Sequence, residues 1–121
     1  MPGGHEIHAV SGAAVVTLQG ELDAHDAPRL RERFAAALDD ASRLGAGPRL
    51  VLDLEAVSFL DSTALGAIVG ALRRAREAGG ELGIVLPAGP ARRIFEITGL
   101  DATLDVHPSR RAALETKDAH S

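Results

Sequence analysis

Short runs of Val, Leu and Ile alternate along this chain with longer stretches in which apolar residues recur at helical spacing. Strands and helices alternate in this way when helices cover the faces of a sheet, so the pattern predicts an α/β protein. Two strands come first, a weaker one over Glu6–Val10 and a stronger one over Ala13–Leu18. The turn-forming pair Ser11-Gly12 between them predicts that they are antiparallel.

A helix and a buried strand are predicted next. The helix begins after Asp26, an N-cap candidate, and has Pro28 near its first turn. Its apolar residues recur at i, i+4, i+8 and i+11, namely Leu30, Phe34, Leu38 and Ala41. The turn-rich segment Ser42–Pro48 ends this helix. The nearly continuous aliphatic run Arg49–Leu54 then predicts a central strand that is buried on both faces.

The second half of the chain continues the alternation. A helix from about Ser62 to Gly79-Gly80 is predicted by one apolar stripe, which consists of Leu65, Ile68, Val69, Leu72 and Ala75. A strand over Glu81–Leu86 follows, and then a short helix that ends at Gly99 and carries Ala91, Ile94 and Ile97. The series closes with a strand over Thr103–Val106 and a terminal helix opened by Pro108, with Ala112, Ala113 and Leu114.

The predicted order of elements is therefore ββαβαβαβα, in a single α/β domain over residues 1–121 with a core from about 6 to 114. We expect a mostly parallel sheet of four to five strands, with an antiparallel N-terminal strand and about four helices. Residues 117–121 contain no apolar residue but Ala119, so we expect this tail to fray.

Composition narrows the range of functions. The chain has 17 acidic and 13 basic residues, a formal charge of −4, so a nucleic acid partner is not expected. It has no cysteine, which removes disulfides, thiolate metal sites and cysteine nucleophiles. The pattern of a secretory leader is absent from Met1–His8, and no apolar run is long enough for a bilayer, so we expect a cytoplasmic protein without a membrane partner.

Two polar segments are expected at the carboxyl edge of the parallel strands, Gly20–Asp26 and Ser58–Thr63, where they could face each other. In the second segment, Asp61, Ser62 and Thr63 lie where a loop becomes a helix. The first amides of a helix are unpaired and its dipole is positive there, so a phosphate on a first-turn hydroxyl is tolerated. The same residues also fit a simple N-cap with no further role.

A phosphate on this helix would change the charge of the surface. It would add about −1.5 to −2 charge next to Asp61 and, if the two segments meet, next to Asp23. The backbone would hardly need to move, so the predicted switch is one of surface charge.

Three stretches of the chain resemble the STAS domains of bacterial anti-sigma-factor antagonists, and the resemblance extends from about residue 6 to residue 114. They are Leu18–Asp23, Val51–Leu54 with Val57–Gly66, and Gly79–Leu82. The resemblance implies that Ser62 is phosphorylated by an anti-sigma factor that is itself a serine kinase. The unphosphorylated protein would bind this kinase and release a sigma factor, and a PP2C-type phosphatase would restore that form.

The same resemblance implies a binding protein, not an enzyme, in bacterial stress response or sporulation. It implies no cofactor and a monomer or weak dimer, with a partner-binding surface made of Asp23, His25, Asp61, Ser62 and Thr63. One departure is Ala64, where the motif often has glycine, and the better helix former should stiffen the turn. The run Ala24–Asp26 varies in the family and could help to select the partner.

Two other functions remain open from the sequence. The first is a STAS scaffold or a subunit of a larger signalling or lipid-transport assembly, which size-exclusion chromatography would reveal. The second is a module that binds a small ligand or a nucleotide, which would raise the melting temperature.

Three further features of the sequence give little indication of catalysis, metal binding or a specific charged contact. A hydrolase built from Ser62, His25 and Asp23 or Asp26 lacks the nucleophile-elbow motif. The histidines are scattered and His5–His8 does not match HExxH, so we expect no metal. Two arginine groups are interpreted as solvated helix faces, with contact to an acidic partner as the alternative: Arg73, Arg74 and Arg76, and Arg92 and Arg93.

Overall fold

The computed structural model describes residues 6–10, 13–43, 49–102 and 104–119. Within these ranges the strands are β1 (Glu6–Val10), β2 (Ala13–Leu22), β3 (Arg49–Leu60), β4 (Glu81–Val85) and β5 (Asp105–His107). The helices are α1 (Ala27–Ser42), α2 (Ser62–Glu77), α3 (Pro90–Thr98) and α4 (Arg110–Ala119), and a 3₁₀ turn, Leu100–Ala102, precedes β5. The predicted order of strands and helices is confirmed.

The strands form one sheet in the spatial order β1-β2-β3-β4-β5. β1 is antiparallel to β2, whereas β2, β3, β4 and β5 are parallel to one another. The prediction of a mostly parallel sheet with β3 at its centre is therefore confirmed. The predicted turn at Ser11-Gly12, residues 44–48 of the predicted loop, and Thr103 lie outside the described residues.

The two faces of the sheet are covered unequally. Leu50, Leu52 and Leu54 of β3 join the larger apolar core, to which α1, α2 and α3 all contribute buried residues. Val51 points to the opposite face, where a smaller cluster includes Ala113 of α4. This follows from the alternation of side chains along a strand. As a result, α1, α2 and α3 cover one face, and of the helices in the described ranges α4 alone packs on the other.

The strands β2 and β3 are longer than predicted. β2 continues to Leu22 and β3 continues to Leu60, so the first three residues of each predicted polar segment, 20–22 and 58–60, are strand. The pairing register shifts twice, between Thr17 and Gln19 and between Gly20 and Glu21 of β2. At each shift β3 advances one residue more than β2. Such bulges have no signature in a pattern of simple alternation, which explains the incorrect strand ends.

The last part of the chain also differs from the predicted pattern. In α3 the buried side chains are Ala91 and Phe95, whereas Ile97 is 77% exposed, so the prediction that Ile97 belongs to the apolar face was wrong. The spacing of Ala91 and Phe95 is i, i+4, and Ile97 lies off that stripe. Gly99 has a φ of 77° at the end of α3, as predicted for a C-terminal glycine.

The terminal helix α4 extends to Ala119, so it includes residues 117–119 of the tail expected to fray. Residues 120–121 lie outside the described ranges.

An ion pair attaches α4 to the sheet. Arg110 donates from Nε and Nη2 to the buried carboxylate of Asp53, at 3.0 and 2.7 Å, and its Nη2 also donates to Thr17 Oγ1. Arg49, which is also buried, donates to the Ala113 carbonyl oxygen. A buried carboxylate needs such a partner, because an unpaired one is strongly destabilising.

We predict that Gly66→Ala stabilises the isolated protein. Gly66 lies inside α2, and a Cβ atom added there would meet nothing within 4 Å. Alanine is favoured over glycine in a helix by about 1 kcal/mol, so the free energy of unfolding in urea should rise by that amount. Gly99→Ala is the matched control and should lower it by about 1 kcal/mol, because of the positive φ. A loss of stability in Gly66→Ala would contradict this interpretation.

Candidate functional site

Asp61 lies between the end of β3 and the first residue of α2, and it caps that helix. Its backbone is extended, with φ −91° and ψ 177°. Its Oδ1 accepts a hydrogen bond of 2.9 Å from the amide of Ala64, the third residue of α2. This is the geometry of an N-cap, and Leu65 donates to the Asp61 carbonyl oxygen to begin the helix. The N-cap predicted at Asp61 or Ser62 is therefore Asp61.

Asp61 also joins this helix to the segment after β2. Its Oδ2 accepts a 2.8 Å hydrogen bond from the amide of Ala24, and its own amide donates to the carbonyl oxygen of Leu22 at 3.0 Å. The two polar segments predicted at the carboxyl edge therefore meet, through Asp61 and through the pairing of Glu21 and Leu22 with Phe59 and Leu60. We refer to Asp23–Asp26 and Asp61–Thr63 together as the rim.

The segment Asp23–Asp26 is held by its own hydrogen bonds. Asp23 Oδ1 accepts from the amide of His25 at 2.9 Å, and Asp26 Oδ2 accepts from the amide of Asp23 at 3.0 Å. Asp26 precedes α1 as predicted, but its side chain makes no capping bond to that helix. Its carboxylate is turned back into the turn instead. The carboxylates thus fix a tight turn, with the His25 side chain exposed on it.

Ser62 and Thr63 are the first two residues of α2, and both are exposed. Two of the first amides of this end have partners, since Asp61 donates to Leu22 and Ala64 donates to the Asp61 carboxylate. The amides of Ser62 and Thr63 come before the first hydrogen bond within the helix, and they have no hydrogen-bond partner among the described residues. An anion on the Ser62 hydroxyl would therefore meet unpaired amides and the positive end of the helix dipole.

The rim carries negative charge. The segments 19–28 and 54–66, which include it, contain five acidic residues and neither Lys nor Arg: Glu21, Asp23, Asp26, Glu55 and Asp61. A phosphate would add about −1.5 to −2 charge to this surface.

A hydrolytic triad is not formed on the rim. The carboxylates of Asp23 and Asp26 accept hydrogen bonds from backbone amides instead of orienting the imidazole of His25. A base that is to activate Ser62 would need such an orienting partner. The structure therefore adds nothing to the hydrolase alternative.

The remaining histidines and arginines lie elsewhere. Nε2 of His107 is 2.9 Å from a carboxylate oxygen of Asp105. The described residues contain no group of three or more side chains suited to a metal ion, and His5, the side chain of His8 and His120 lie outside the description.

The arginines expected to be solvated are exposed, except for Arg92, which is half-buried and donates to the Leu86 carbonyl oxygen at 3.2 Å. Of the helices described, none has the length and apolar character to span a bilayer.

Phe59 was not among the candidate site residues from the sequence. It lies two residues before Asp61 in β3, paired with Glu21 of β2, and is exposed. Its neighbour Leu60 is buried, so an aromatic residue next to the rim is left open to solvent. The apolar pair Phe59-Leu60 was visible in the sequence, but which of the two faces solvent depends on the register of β3.

Comparisons with known proteins identify the family of this chain. A family model described as the STAS domain matches residues 5–113. The chain belongs to the STAS domain family. The resemblance that its motifs suggested is confirmed, as is the α/β fold that it implied.

Proteins similar to this STAS domain include anti-sigma-factor antagonists. One, an anti-sigma-B factor antagonist of Bacillus subtilis, is 34% identical over 91 residues, which are 75% of this chain and 78% of the relative. The crystal structure of an anti-sigma factor antagonist from Mycobacterium paratuberculosis is 31% identical, with a TM-score of 0.80 over 93% of this chain and 92% of the other. The phosphorylated form of SpoIIAA, a Bacillus cell fate determinant, matches in fold, with 24% identity, a TM-score of 0.65 and coverage of 90% and 96%.

We predict that Asp61→Ala lowers the free energy of unfolding by about 2 kcal/mol, since it removes both the cap and the bond from Ala24. Asp61→Asn should lose about half of this, because its amide oxygen can still cap α2 but its amide nitrogen cannot accept from Ala24. Asp39→Ala is the control. It breaks only an exposed ion pair with Arg43 and should cost less than about 0.5 kcal/mol. If urea denaturation gave equal values for Asp61→Ala and Asp39→Ala, the bonds of Asp61 would not hold the rim together.

Proposed function

We propose that this STAS domain is an anti-sigma-factor antagonist whose binding to an anti-sigma factor is controlled by phosphorylation of Ser62. The observation that carries the proposal is the exposure of Ser62 at the N-terminus of α2, on a rim fixed by Asp61. The relatives support the class of partner, because their names state that they antagonise anti-sigma factors. In this proposal the unphosphorylated protein binds an anti-sigma factor that is a serine kinase, and a sigma factor is released.

The protein is the substrate of this kinase and not an enzyme. The Ser62 hydroxyl oxygen attacks the γ-phosphorus of ATP held by the kinase, the bond to the ADP oxygen breaks, and the hydroxyl proton passes to a base. Both oxygens of the adjacent Asp61 already accept backbone hydrogen bonds, so we assign that base to the kinase. This chain supplies an accessible hydroxyl at a fixed position, and needs no cofactor for it.

Phosphorylation then prevents binding through charge and hydration. The new dianion lies on the surface that contacts the kinase, facing the nucleotide phosphates from which it came. Juxtaposed like charges at an interface cost several kcal/mol, and each 1.4 kcal/mol weakens binding tenfold. A PP2C-type phosphatase removes the phosphate and restores binding. Within this proposal the protein acts in the cytoplasm as a monomer or weak dimer, and Asp23, His25 and Thr63 contact the kinase around Ser62.

We predict that Ser62→Ala binds the anti-sigma factor with wild-type affinity and is not phosphorylated, whereas Ser62→Asp binds at least about tenfold more weakly, because it carries a permanent charge at the contact. The measurement is isothermal titration calorimetry against each purified anti-sigma factor kinase of the source genome, with mass spectrometry to locate the phosphate after incubation with ATP.

Thr63→Ala is the matched control, because it removes the neighbouring exposed hydroxyl and should still be phosphorylated. Phosphate found on a residue other than Ser62, or equal affinity of Ser62→Asp and wild type, would refute the proposed function.

A further inference from the structure

Phe59 is an aromatic side chain that the fold leaves in contact with solvent, with an exposed fraction of 46%. Within the part of the chain that is described, only Ile97 is another large apolar residue that is exposed. Burial of a Phe side chain stabilises a fold, and this chain forgoes part of that stabilisation at Phe59. Single exposed apolar residues are common, so the position of Phe59 decides whether its exposure has a function.

The second register shift of β3 is what turns Phe59 outward. From Gly20 to Glu21 β2 advances by one residue, while β3 advances by two, from Val57 to Phe59. Val57 is buried, so regular alternation would bury residue 59 and expose residue 60. With the extra residue, Leu60 is buried instead and Phe59 is exposed. The exposure of Phe59 therefore results from an irregularity in the central strand and is not a consequence of regular alternation.

Phe59 projects from a part of the sheet that α4 does not cover. α4 is attached further back along the strands, through Arg110 to Asp53 and through Arg49 to the Ala113 carbonyl oxygen. Beyond this attachment the outward residues of β3 are exposed: Glu55, Ala56, Ser58 and Phe59. The rim adjoins this exposed patch in the sequence, because Asp61 and Ser62 come two and three residues after Phe59.

The charged residues around Phe59 are acidic, and they form the border of the exposed patch. Glu21 is its partner in the pairing with β2 and is exposed on the same side of the sheet. All five charged residues of the segments 19–28 and 54–66 are acids. Arg110, the basic residue that lines the cleft beside Glu55, already donates hydrogen bonds to Asp53 and Thr17. An apolar centre with an acidic border is complementary to an apolar pocket with a basic border.

We propose that Phe59 is the apolar anchor of the contact with the anti-sigma factor, and that it inserts into an apolar pocket of that partner bordered by Lys or Arg. The inference rests on the proposed function and extends it, because Phe59 precedes Ser62 by three residues. It also gives a reason why one phosphate is effective. Insertion of Phe59 removes water from the adjoining surface, and a dianion three residues away would lose its hydration in the same step.

The test compares two variants at the two exposed apolar residues. Phe59→Ala should bind the anti-sigma factor that binds wild type about thirtyfold more weakly, which is ~2 kcal/mol at 1.4 kcal/mol per tenfold. Ile97→Ala, near the end of α3, should bind within about twofold of wild type, since no partner contact is assigned to it. Phe59→Met keeps an apolar side chain and should recover most of the affinity. Thermal denaturation of each variant checks that it is folded.

The acidic border is tested by salt titration of the same complex. Glu21→Gln should reduce the dependence of affinity on salt concentration, whereas Glu77→Gln at the far end of α2 should leave it unchanged. An unchanged dependence in Glu21→Gln would overturn the basic border of the pocket.

The outcomes separate this inference from the proposed function. Wild-type affinity in Phe59→Ala, together with weak binding by Ser62→Asp, would overturn the anchor and leave the phosphorylation switch in place. If wild type bound none of the anti-sigma factors of the source genome, both proposals would be wrong.

Discussion

The Asp61 carboxylate makes two hydrogen bonds on which the rest of the candidate site depends. One caps α2 through the amide of Ala64, and the other holds the amide of Ala24 in the turn after β2. The backbone amide of Asp61 adds a third bond, to Leu22. A single residue thereby positions a helix and a turn that are distant in sequence, and it presents Ser62 at a fixed place on the surface. Since both carboxylate oxygens are occupied, Asp61 acts on Ser62 through geometry and charge.

Because the hydrogen bonds of Asp61 fix the rim, a switch at Ser62 need not move the backbone. A phosphate at Ser62 would meet the helix dipole and unpaired amides, so the fold can accept it without rearrangement. What changes is the charge and hydration of the rim, next to the exposed side chain of Phe59. Partner binding is sensitive to both, because an interface must exclude water from its centre. A switch of this kind lies on the surface and leaves the two cores unchanged.

The amount that the sequence could predict differs between local and long-range features. The order of elements and the cap at Asp61 follow from spacing and from residue preferences within one or two turns. The register shifts of β3 depend on pairing with β2, and alternation alone could not show that Phe59 faces outward. The bond between Arg110 and Asp53 joins residues 57 positions apart, for which no local pattern exists. Ile97 was misassigned because a nine-residue helix allows more than one apolar stripe, and Phe95 fills the core instead.

The most direct test of a switch without rearrangement is the comparison of backbone amide NMR spectra of the protein before and after phosphorylation of Ser62. Shift changes should be confined to the rim and the neighbouring residues 59–66, and the amide of Ala24 should exchange with solvent as slowly as before. Changes that spread through α1, α4 or the centre of the sheet, or rapid exchange of the Ala24 amide, would contradict a switch without rearrangement.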